Sequence, residues 1–455
     1  MKFKNYMISK NKFKNKFLYF FDQLWSLNRS LTGNDTRKTH KILSKIFPLK
    51  TFEVKSGKKV NDWTVPNEWN VKSAYIANLK KKKIIDFKKN NLHLVGYSVP
   101  FNGFISKKKL LEKITYLKSL PNAIPYKTSY YKKDWGFCVS YNQLKKLKDK
   151  KFYVKVDTKL HKGSMTISEM YLPGKIKKEI LIHAYTCHPS MAINELSGPL
   201  IASILAKEVS KIKNRYFSYR FIFAPETIGS ISYLHINGKE LIKNTVAGFV
   251  CNSLGYKNFI SYKKSKKGNS IGDLAAIRVL KKTKKYKIKI SKFYVNGSDE
   301  RQYCSLGYNL PVGTLLSAPD HKYKEYHTSL DNKSILNFNN LYISLKIFLQ
   351  IFKEIENLYK SNYLPKIKKV LKKNKNQIYP KILITKGEPR LSKYKVHYEM
   401  KKDNVTPDDL TFAIKWLVHY SDGFTSLSHI STLSKINILY IKKAYKILKE
   451  KKILK

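Results

Sequence analysis

The residues of this chain best suited to chemistry follow a short apolar run at residues 180–182. His188 and Glu195 come next, and an apolar segment at 199–209 with the spacing of a helix follows them. An imidazole and a carboxylate at the carboxyl end of a buried strand occupy the position where α/β proteins hold metal ions and catalytic groups. We therefore expect an enzyme-like site in this loop, whereas the nearby His183 has the character of a hydrogen-bonded surface group.

Three further patches could join this loop in one site. Residues 221–230 (FIFAPETIGS) predict a buried strand that ends at Glu226, where a helix begins. Residues 296–303 (NGSDERQY) form a turn rich in polar groups, and residues 325–332 (EYHTSLDN) place His327 in a loop before a long helix. Histidine and glutamate side chains at strand ends fit a zinc site with an open coordination position, where a nearby carboxylate activates bound water.

Each patch also has an ordinary structural interpretation. Glu226 could cap the following helix through the helix dipole. Asp299 and Glu300 could form ion pairs with Arg301. Cys187 could be a thiol nucleophile, although a cysteine in such a position is more often part of the packed core. The occurrence of four such patches within one α/β segment favours a site.

Composition limits the classes of function. The formal net charge is +59 and the pI is about 10.0, which in many proteins indicates a nucleic-acid or anionic-surface partner. Only seven of the 90 basic residues are arginine, the residue preferred for bidentate phosphate and base contacts, and the lysines are spread over the whole chain. We therefore do not expect specific nucleic-acid binding, although nonspecific adhesion to polyanions at low salt is expected.

The cellular compartment is inferred from signals that the sequence lacks. The four cysteines have no paired metal-knuckle spacing, and no disulfide framework is expected in a chain of 455 residues. The basic N-terminus has an apolar part too short for a secretion signal, interrupted by Asp22. No run reaches the roughly 18 apolar residues of a membrane span. The expectation is a soluble cytoplasmic protein without a membrane partner.

The predicted secondary structure changes in character at three points along the sequence. Residues 1–50 predict helices, and residues 51–150 alternate short β-rich pieces with proline and glycine turns. Strand and helix patterns alternate over residues 151–362, which is typical of an α/β sheet. A lysine-rich connector then leads to residues 376–455, where three short helices are predicted.

Long motifs that run through nearly the whole chain are SLNRSLTGNDTRKT, VNDWTVPNEWN, YKTSYYKKDWGFCVS, CHPSMAINELSG, APETIGS, GSDERQYCS and EYHTSLDN. Through them the chain resembles the aminopeptidase-like proteins associated with polysaccharide biosynthesis loci. The resemblance implies an α/β, zinc-aminopeptidase-like (phosphorylase/hydrolase-like) mixed sheet flanked by helices, with residues 1–50 packing on it. It also implies that residues 51–150 are an inserted β-rich domain of unknown function, and that residues 376–455 form a winged helix-turn-helix-like domain.

The resemblance also implies a catalytic residue. Bimetallic aminopeptidases of this fold use an early His, a bridging Asp, a Glu base followed by a Glu ligand, a further Asp and a late His. The late His corresponds to His327 of this sequence. The glutamate pair corresponds to Glu226 and Thr227, so that the base-like carboxylate is retained and the adjacent ligand is lost.

The remaining family positions depart from the pattern. The bridging Asp falls on Asn194 and the further Asp falls near Asn252, while the early His falls near Tyr185, three residues before His188. Asparagine is a poor bridging ligand because it lacks the charge that holds two cations together. The adjacent Glu195 could supply the missing carboxylate, so the sequence favours one Zn²⁺ over two.

The predicted site therefore has one Zn²⁺ held by His188, Glu195 and His327, with Glu226 as the catalytic base or a fourth ligand. The residues predicted to bind or orient substrate are Asn194, Asp299, Glu300, Arg301, Arg29 and Tyr131.

The main functional hypothesis is a metal-dependent hydrolase of an amide bond, in a peptide or an acylated amino sugar, in which Glu226 takes the proton of the attacking water. The alternative is a catalytically degenerate scaffold of the same fold that binds a glycan or a protein. A DNA-binding regulator would rest only on the charge and on the C-terminal helices. Their basic segment 437–446 lacks base-reading side chains after Asn437, so we expect a protein partner or self-association there.

Overall fold

A computed structural model describes residues 7–318, 323–362, 373–396 and 408–455 of the chain. The helices are α1 (Lys10–Trp25), α2 (Asn34–Leu43), α3 (Lys107–Glu112), α4 (Tyr141–Leu144), α5 (Ser197–Ser210), α6 (Ile228–Asn244), α7 (Ile271–Lys281), α8 (Glu300–Tyr303), α9 (Phe338–Lys360), α10 (Asp409–Tyr420), α11 (Leu427–Ser434) and α12 (Ile438–Glu450). The strands are β1 (Lys50–Lys55), β2 (Lys59–Val60), β3 (Trp63–Thr64), β4 (Glu68–Ala77), β5 (Lys83–Asp86), β6 (Phe101–Ser106), β7 (Ile114–Thr115), β8 (Phe137–Cys138), β9 (Lys151–His161), β10 (Ser164–Leu172), β11 (Ile176–Tyr185), β12 (Phe217–Ala224), β13 (Thr245–Cys251), β14 (Phe259–Lys263), β15 (Lys287–Ser291) and β16 (Val312–Leu316).

The largest sheet of the described residues is mixed. Its eight strands lie in the order β1-β10-β12-β11-β13-β16-β14-β15. The central strands β12, β11, β13 and β16 are parallel, so their carboxyl ends meet at one edge of the sheet. The strands β10 and β14 run antiparallel to their neighbours β12 and β16. The predicted mixed α/β sheet is confirmed.

Both faces of the central strands are covered by helices. Ile180 and Ile182 of β11 belong to a core that they share with α1, α5, α7 and α9, whereas Leu181 packs into a second core with α6. This alternation follows from the two-residue period of a strand, and it explains why the run at residues 180–182 is wholly apolar. The N-terminal helix α1 packs against α5 and α9.

A four-stranded antiparallel sheet in the order β5-β4-β9-β6 forms the β-rich insertion. Its strand β9 extends from Lys151 to His161, beyond the predicted boundary at residue 150. Conversely, β1 pairs with β10 in the large sheet although it starts at the predicted beginning of the insertion. Sheet membership therefore differs from the predicted division by one strand at each end, because strand pairing depends on partners that lie far away in the sequence.

The C-terminal helices α10, α11 and α12 pack against one another. Single β-bridges join Lys381 to Asp422 and Ile382 to Leu454, so the segment that precedes α10 pairs with the rest of this unit. The assignment as a winged helix, and the expected protein partner or self-association, stay predictions. None of the described helices combines the length and apolar character that a membrane crossing requires.

Glu388 connects this C-terminal unit to the rest of the molecule. Its carboxylate accepts hydrogen bonds from Arg301 Nη1 at 2.6 Å and Gln302 Nε2 at 2.6 Å, and it lies 2.8 Å from His419 Nε2. Its carbonyl accepts the indole N–H of Trp63, from the insertion, at 2.7 Å. Burial alone would raise the pKa of Glu388, but the charge of Arg301 and the hydrogen bonds outweigh it and hold the pKa well below its usual range.

We expect the substitution Glu388→Gln to lower the free energy of unfolding by about 3 kcal/mol at pH 7, because it leaves the Arg301 guanidinium without its carboxylate in a largely buried place. Since folding lowers the pKa of Glu388, this carboxylate stabilises the fold above the unfolded-state pKa, and its contribution is lost as the pH falls through the acid range. Urea unfolding of parent and variant at pH 7 and pH 4 measures both effects. The matched control is Glu354→Gln, which removes one ion-pair partner of the exposed Arg278. A Glu388 variant as stable as this control would contradict the role of the junction.

Candidate active site

The loop that follows β11 is held in place by Asp331. The Asp331 carboxylate accepts the backbone N–H groups of Ile193 at 2.8 Å and Asn194 at 2.9 Å, and Tyr323 donates its hydroxyl proton at 2.6 Å. These bonds fix a π-helical turn over Ala192–Leu196, which leads directly into α5. Burial raises the pKa of Asp331 to about 6. The motif at 325–332 therefore supports the loop at 187–198 through Asp331, a contact that the sequence alone did not indicate.

His188 lies between two carboxylates at the carboxyl end of the sheet. Its Nδ1 is 2.9 Å from Glu195 Oε2, and its Nε2 is 3.7 Å from Glu226 Oε2. Glu195 is fully buried, whereas the side chain of Glu226 is 28% exposed, so Nε2 faces the open side of the site. Burial lowers the pKa of His188, but the neighbouring Cys187 and Glu195 outweigh it and raise the pKa well above its usual value. The predicted residues His188, Glu195 and Glu226 are thus close together.

Glu226 is presented by a strained turn between β12 and α6. Thr227 has a φ of 63°, which is uncommon for a residue with a branched side chain. Its N–H donates to Asp299 Oδ1 at 2.7 Å, which also accepts the Ser230 hydroxyl at 2.9 Å. The other oxygen of Asp299 is 2.7 Å from His183 Nε2. Burial raises the pKa of the Glu226 carboxyl to about 7, against the lowering effect of His188.

These contacts bear on two predictions from the sequence. Asp299 is fully buried, contacts the α6 terminus and His183, and supports the turn of Glu226; its predicted substrate contact stays a prediction. His183, expected at the surface, is itself fully buried and lies within 3.2 Å of the Tyr303 hydroxyl.

Glu300 and Arg301 also have structural partners. Glu300 forms a fully buried ion pair with Lys263 and accepts the Thr314 hydroxyl at 2.8 Å. Arg301 binds Glu388 in the C-terminal junction. Glu300 is thus packed in the core and Arg301 joins the C-terminal unit to the rest of the molecule, while their predicted substrate-binding role stays a prediction.

Two further predicted substrate-binding residues lie behind or beside the site. Arg29 is only 1% exposed, and its Nε donates a hydrogen bond to the carbonyl of His188 at 3.0 Å. Arg29 therefore holds the loop of His188 from the core side. The Tyr131 hydroxyl donates a hydrogen bond to the Thr64 carbonyl at 2.8 Å. Arg390 Cζ lies 4.8 Å from the centroid of the Tyr131 ring, where the insertion contacts the segment before α10. Neither residue contacts the cleft side of His188 in the described structure.

His327 lies beside His188 as the resemblance implies. Their ring centroids are 5.5 Å apart, and the ring of Tyr326 stacks on His327 at 3.9 Å. Within the described residues, the one group of three or more metal-binding side chains whose ligand atoms all lie within 4.8 Å is Cys187, His188 and Glu195. The ligand atoms of the predicted set, His188, Glu195 and His327, therefore do not all lie within 4.8 Å of one another.

The positions that would hold a second metal instead form a neutral hydrogen-bonded cluster. The Tyr185 hydroxyl donates to the carbonyl of Asn194 at 2.7 Å and accepts the side-chain amides of Asn194 at 3.2 Å and Asn252 at 3.1 Å. Burial raises the pKa of Tyr185 well above its usual value, so the phenol keeps its proton. The phenol makes three hydrogen bonds, whereas the buried side-chain oxygens of Asn194 and Asn252 have no hydrogen-bond partner among the described residues. The predicted substrate contact of Asn194 stays a prediction.

The side chains around His188 fit a zinc ion. The Tyr185 cluster contains no anionic ligand, and neutral amides bind divalent cations weakly. On the other side, Glu195 holds His188 by Nδ1 and leaves Nε2 directed toward Glu226, the arrangement in which a carboxylate orients a metal-binding imidazole.

We expect the substitution Asn194→Asp to destabilise the protein by about 2 kcal/mol at pH 8, because it replaces a buried N–H donor of the Tyr185 hydroxyl with a carboxylate oxygen that has no proton to share. The buried carboxyl has a raised pKa, so the loss of stability grows as the pH rises through that pKa. Thermal unfolding at pH 5 and pH 8 tests this prediction. The exposed Asn376→Asp serves as the control. Equal stability of the two variants at pH 8 would contradict the neutral cluster.

Comparison with known proteins agrees with this architecture. The family model described as "Domain of unknown function (DUF4910)" matches residues 19–358. The chain belongs to this family. It is also 40% identical over 427 residues to a protein of Clostridium acetobutylicum named "putative polysaccharide biosynthesis protein with aminopeptidase-like domain", covering 93% of this chain and 92% of that protein. The resemblance inferred from the sequence motifs is confirmed.

Solved structures show the same fold. A crystal structure of a "putative peptidase" from Clostridium acetobutylicum superposes with a TM-score of 0.74 at 37% identity, covering 98% of this chain and 97% of that chain. A zinc aminopeptidase from Bacillus subtilis superposes with a TM-score of 0.56 at 10% identity, covering 75% of this chain and 94% of that chain. The predicted zinc-aminopeptidase-like fold of this family member is confirmed.

Proposed function

We propose that the protein is a hydrolase of amide bonds that works with one Zn²⁺ at the carboxyl ends of β11 and β12. The observation that carries the proposal is the placement of His188, whose Nδ1 is held by Glu195 and whose Nε2 faces Glu226. His188 and His327 are the proposed ligands. Glu195 moves from the predicted ligand set to an orienting role, because it contacts the nitrogen of His188 that faces the core.

The bound ion would supply the Lewis acidity that polarises an amide carbonyl and lowers the pKa of water. Glu226 is the proposed base, since a carboxyl with a pKa of about 7 can accept a proton near neutral pH and return it to the leaving amine. The turn at Thr227 and the N–H of Glu226, which donates to Cys187 Sγ at 3.2 Å, keep this carboxylate opposite His188.

The proposed substrate is the amide of a peptide or of an acylated amino sugar. The name of the Clostridium acetobutylicum relative, which includes both polysaccharide biosynthesis and an aminopeptidase-like domain, supports a link to glycan assembly. Both substrates contain an amide carbonyl and a leaving amine, so the same base and the same metal ligands would serve either.

We expect Glu226→Gln to reduce hydrolysis by at least ~100-fold, because the amide cannot accept a proton. In the parent, kcat/KM should rise with pH, since the deprotonated carboxylate is the active form. The midpoint should lie at about 7 or lower, because the charge of a bound cation favours the carboxylate. Initial rates on a panel of dipeptides and N-acylated amino sugars, at pH 5 to 9 with added zinc, measure both effects. The control is Glu53→Gln, which changes a carboxylate bound to Ser164 and Thr166 away from the site. A Glu226 variant as active as this control would exclude the base role.

A matching prediction concerns metal binding. Glu195→Gln should weaken zinc binding about 10- to 100-fold, because the amide orients the His188 ring less strongly than a carboxylate does. Titration of the metal-free protein with zinc by calorimetry gives the affinity. Glu240→Gln, at the partly exposed partner of Arg220, should bind zinc as the parent does. Equal affinities for the two variants would refute the orienting role.

The degenerate scaffold remains the second candidate, and the neutral Tyr185 cluster favours it because it removes a complete metal position. The same experiments separate the two proposals. A parent protein that binds no zinc and hydrolyses none of the amides, and whose Glu226→Gln variant binds ligand unchanged, would support the scaffold.

A further inference from the structure

The loop that carries His327 is paired with a short extended segment of the β-rich insertion. Pro125 forms an antiparallel β-bridge with Thr328, and the N–H of Tyr126 donates to the carbonyl of His327 at 2.8 Å. The N–H of Ser329 donates a further hydrogen bond of 2.9 Å to the same segment. The backbone of this loop is therefore fixed to the insertion.

The continuation of the segment is anchored inside the insertion. Gly96 donates its N–H to the carbonyl of Lys127 and accepts the N–H of Ser129, both at 2.9 Å. Residues 124–129, which we call the strap, thus pair with the loop at 327–329 at one end and with the body of the insertion at the other. A displacement of the insertion would be transmitted to the loop of His327.

The backbone of His327 needs such a support. Its φ is 54°, a value that is uncommon for a residue with a side chain. Backbone conformations of this kind persist where the surrounding contacts impose them. The hydrogen bond from the Tyr126 N–H to the His327 carbonyl is one such contact, and the stacking of the Tyr326 ring on the imidazole at 3.9 Å is another. The direction of the His327 side chain therefore depends in part on the strap.

The side chain of Tyr126 lies against both proposed zinc ligands. The centroid of its ring is 5.1 Å from that of His188 and 5.4 Å from that of His327, and the two imidazole centroids are 5.5 Å apart. Two imidazoles bound to one tetrahedral zinc ion have centroids about 5 Å apart, since each Zn–N bond is about 2 Å long. The two imidazoles thus have a separation that suits a shared ion, and the tyrosine packs on both.

Ordinary core packing also brings aromatic rings into contact. The contacts of Tyr126 differ in what they join, because His188 follows β11, His327 precedes α9, and the tyrosine belongs to the insertion. Its ring is half-buried, so one part of it remains open toward solvent. A single ring therefore connects two ligands from separate segments to a third segment that pairs with one of them.

We propose that Tyr126 is a positioning residue of the metal site, whose ring holds His188 and His327 at the separation that a shared zinc ion needs. The inference rests on the proposed function, in which these two histidines are the ligands. Because the ring is carried by the strap, zinc binding and the docking of the insertion are coupled. Such coupling is reciprocal, so that bound zinc stabilises the contact between strap and loop as much as this contact strengthens zinc binding.

The first test is the zinc affinity of variants in the full chain, measured by calorimetry on metal-free protein. Tyr126→Ala should weaken zinc binding about 10- to 100-fold, the range typical of residues that orient metal ligands. Tyr126→Phe keeps the ring and loses only the 3.5 Å contact with the Tyr130 hydroxyl, so it should bind zinc as the parent does. The matched control is Tyr116→Ala, which removes another half-buried ring of the insertion, stacked on Tyr141 at 5.7 Å. It should leave the affinity unchanged, and thermal melts check that every variant is folded.

The second test uses the unmodified protein and therefore does not depend on whether a variant folds. Hydrogen exchange is followed by mass spectrometry with and without zinc. Zinc should slow the exchange of peptides that contain the strap and residues 327–329 by at least about threefold, because their backbone hydrogen bonds open less often. Peptides from β6 of the same insertion should exchange at the same rate in both states.

The outcomes separate this inference from the function on which it rests. If the parent binds zinc and hydrolyses an amide, but Tyr126→Ala binds zinc as tightly as Tyr116→Ala, the positioning role is overturned and the proposed function stands. Exchange of the strap that zinc leaves unchanged, or an equal loss of affinity in Tyr126→Ala and Tyr126→Phe, also overturns the role of the ring. If Tyr126→Ala loses affinity in a protein that hydrolyses none of the amides, the positioning role stands and the hydrolase is overturned. A parent that binds no zinc overturns both.

Discussion

The chemistry proposed for this molecule depends on one buried imidazole held between two carboxylates. Glu195 fixes the Nδ1 side of His188 from the core, and Glu226 faces the Nε2 side from the edge of the sheet. An imidazole held in this way presents a single nitrogen in a single orientation, which a metal site requires. Two further carboxylates keep this arrangement in place: Asp331 holds the loop of Glu195, and Asp299 holds the turn of Glu226.

The second side of the site shows how a fold keeps its shape after its metal ligands change. Tyr185, Asn194 and Asn252, which the resemblance matched to metal positions, hydrogen-bond to one another. Three anionic or imidazole ligands without a cation would leave buried charge uncompensated, which costs several kcal/mol. A phenol with two amides carries no net charge, although the side-chain oxygens of both amides are buried without a hydrogen-bond partner among the described residues. The outcome is a peptidase-like cleft with one side suited to a cation.

Much of the fold could be read from the sequence because its signals are local. The apolar runs of β11 and β12, and the loops that follow each of them, predicted a site at the carboxyl edge of a parallel sheet. His188, Glu195, Glu226 and His327 do lie there. The departures at Asn194 and Asn252 favoured one metal ion over two, and this count stays a prediction.

What the sequence could not indicate depends on contacts between distant segments. Asp299 and Glu300 have the composition of a substrate-binding turn, yet their partners His183 and Lys263 lie on strands far away in the chain. The role of Tyr126 was invisible for the same reason, because its backbone pairs with the loop of His327 some 200 residues later. The motif around it, YKTSYYKKDWGFCVS, offered a signal only as an unusual density of aromatic and polar residues. Strand β9 likewise joins the insertion through its pairing with β4 and β6.

The central claim, one cation site beside a neutral cluster, is tested most directly by anomalous diffraction at the zinc absorption edge from crystals grown with zinc. The account predicts a single strong anomalous peak within bonding distance of His188 Nε2, and none within bonding distance of Tyr185, Asn194 or Asn252. Two peaks, or one peak centred among those three residues, would contradict it.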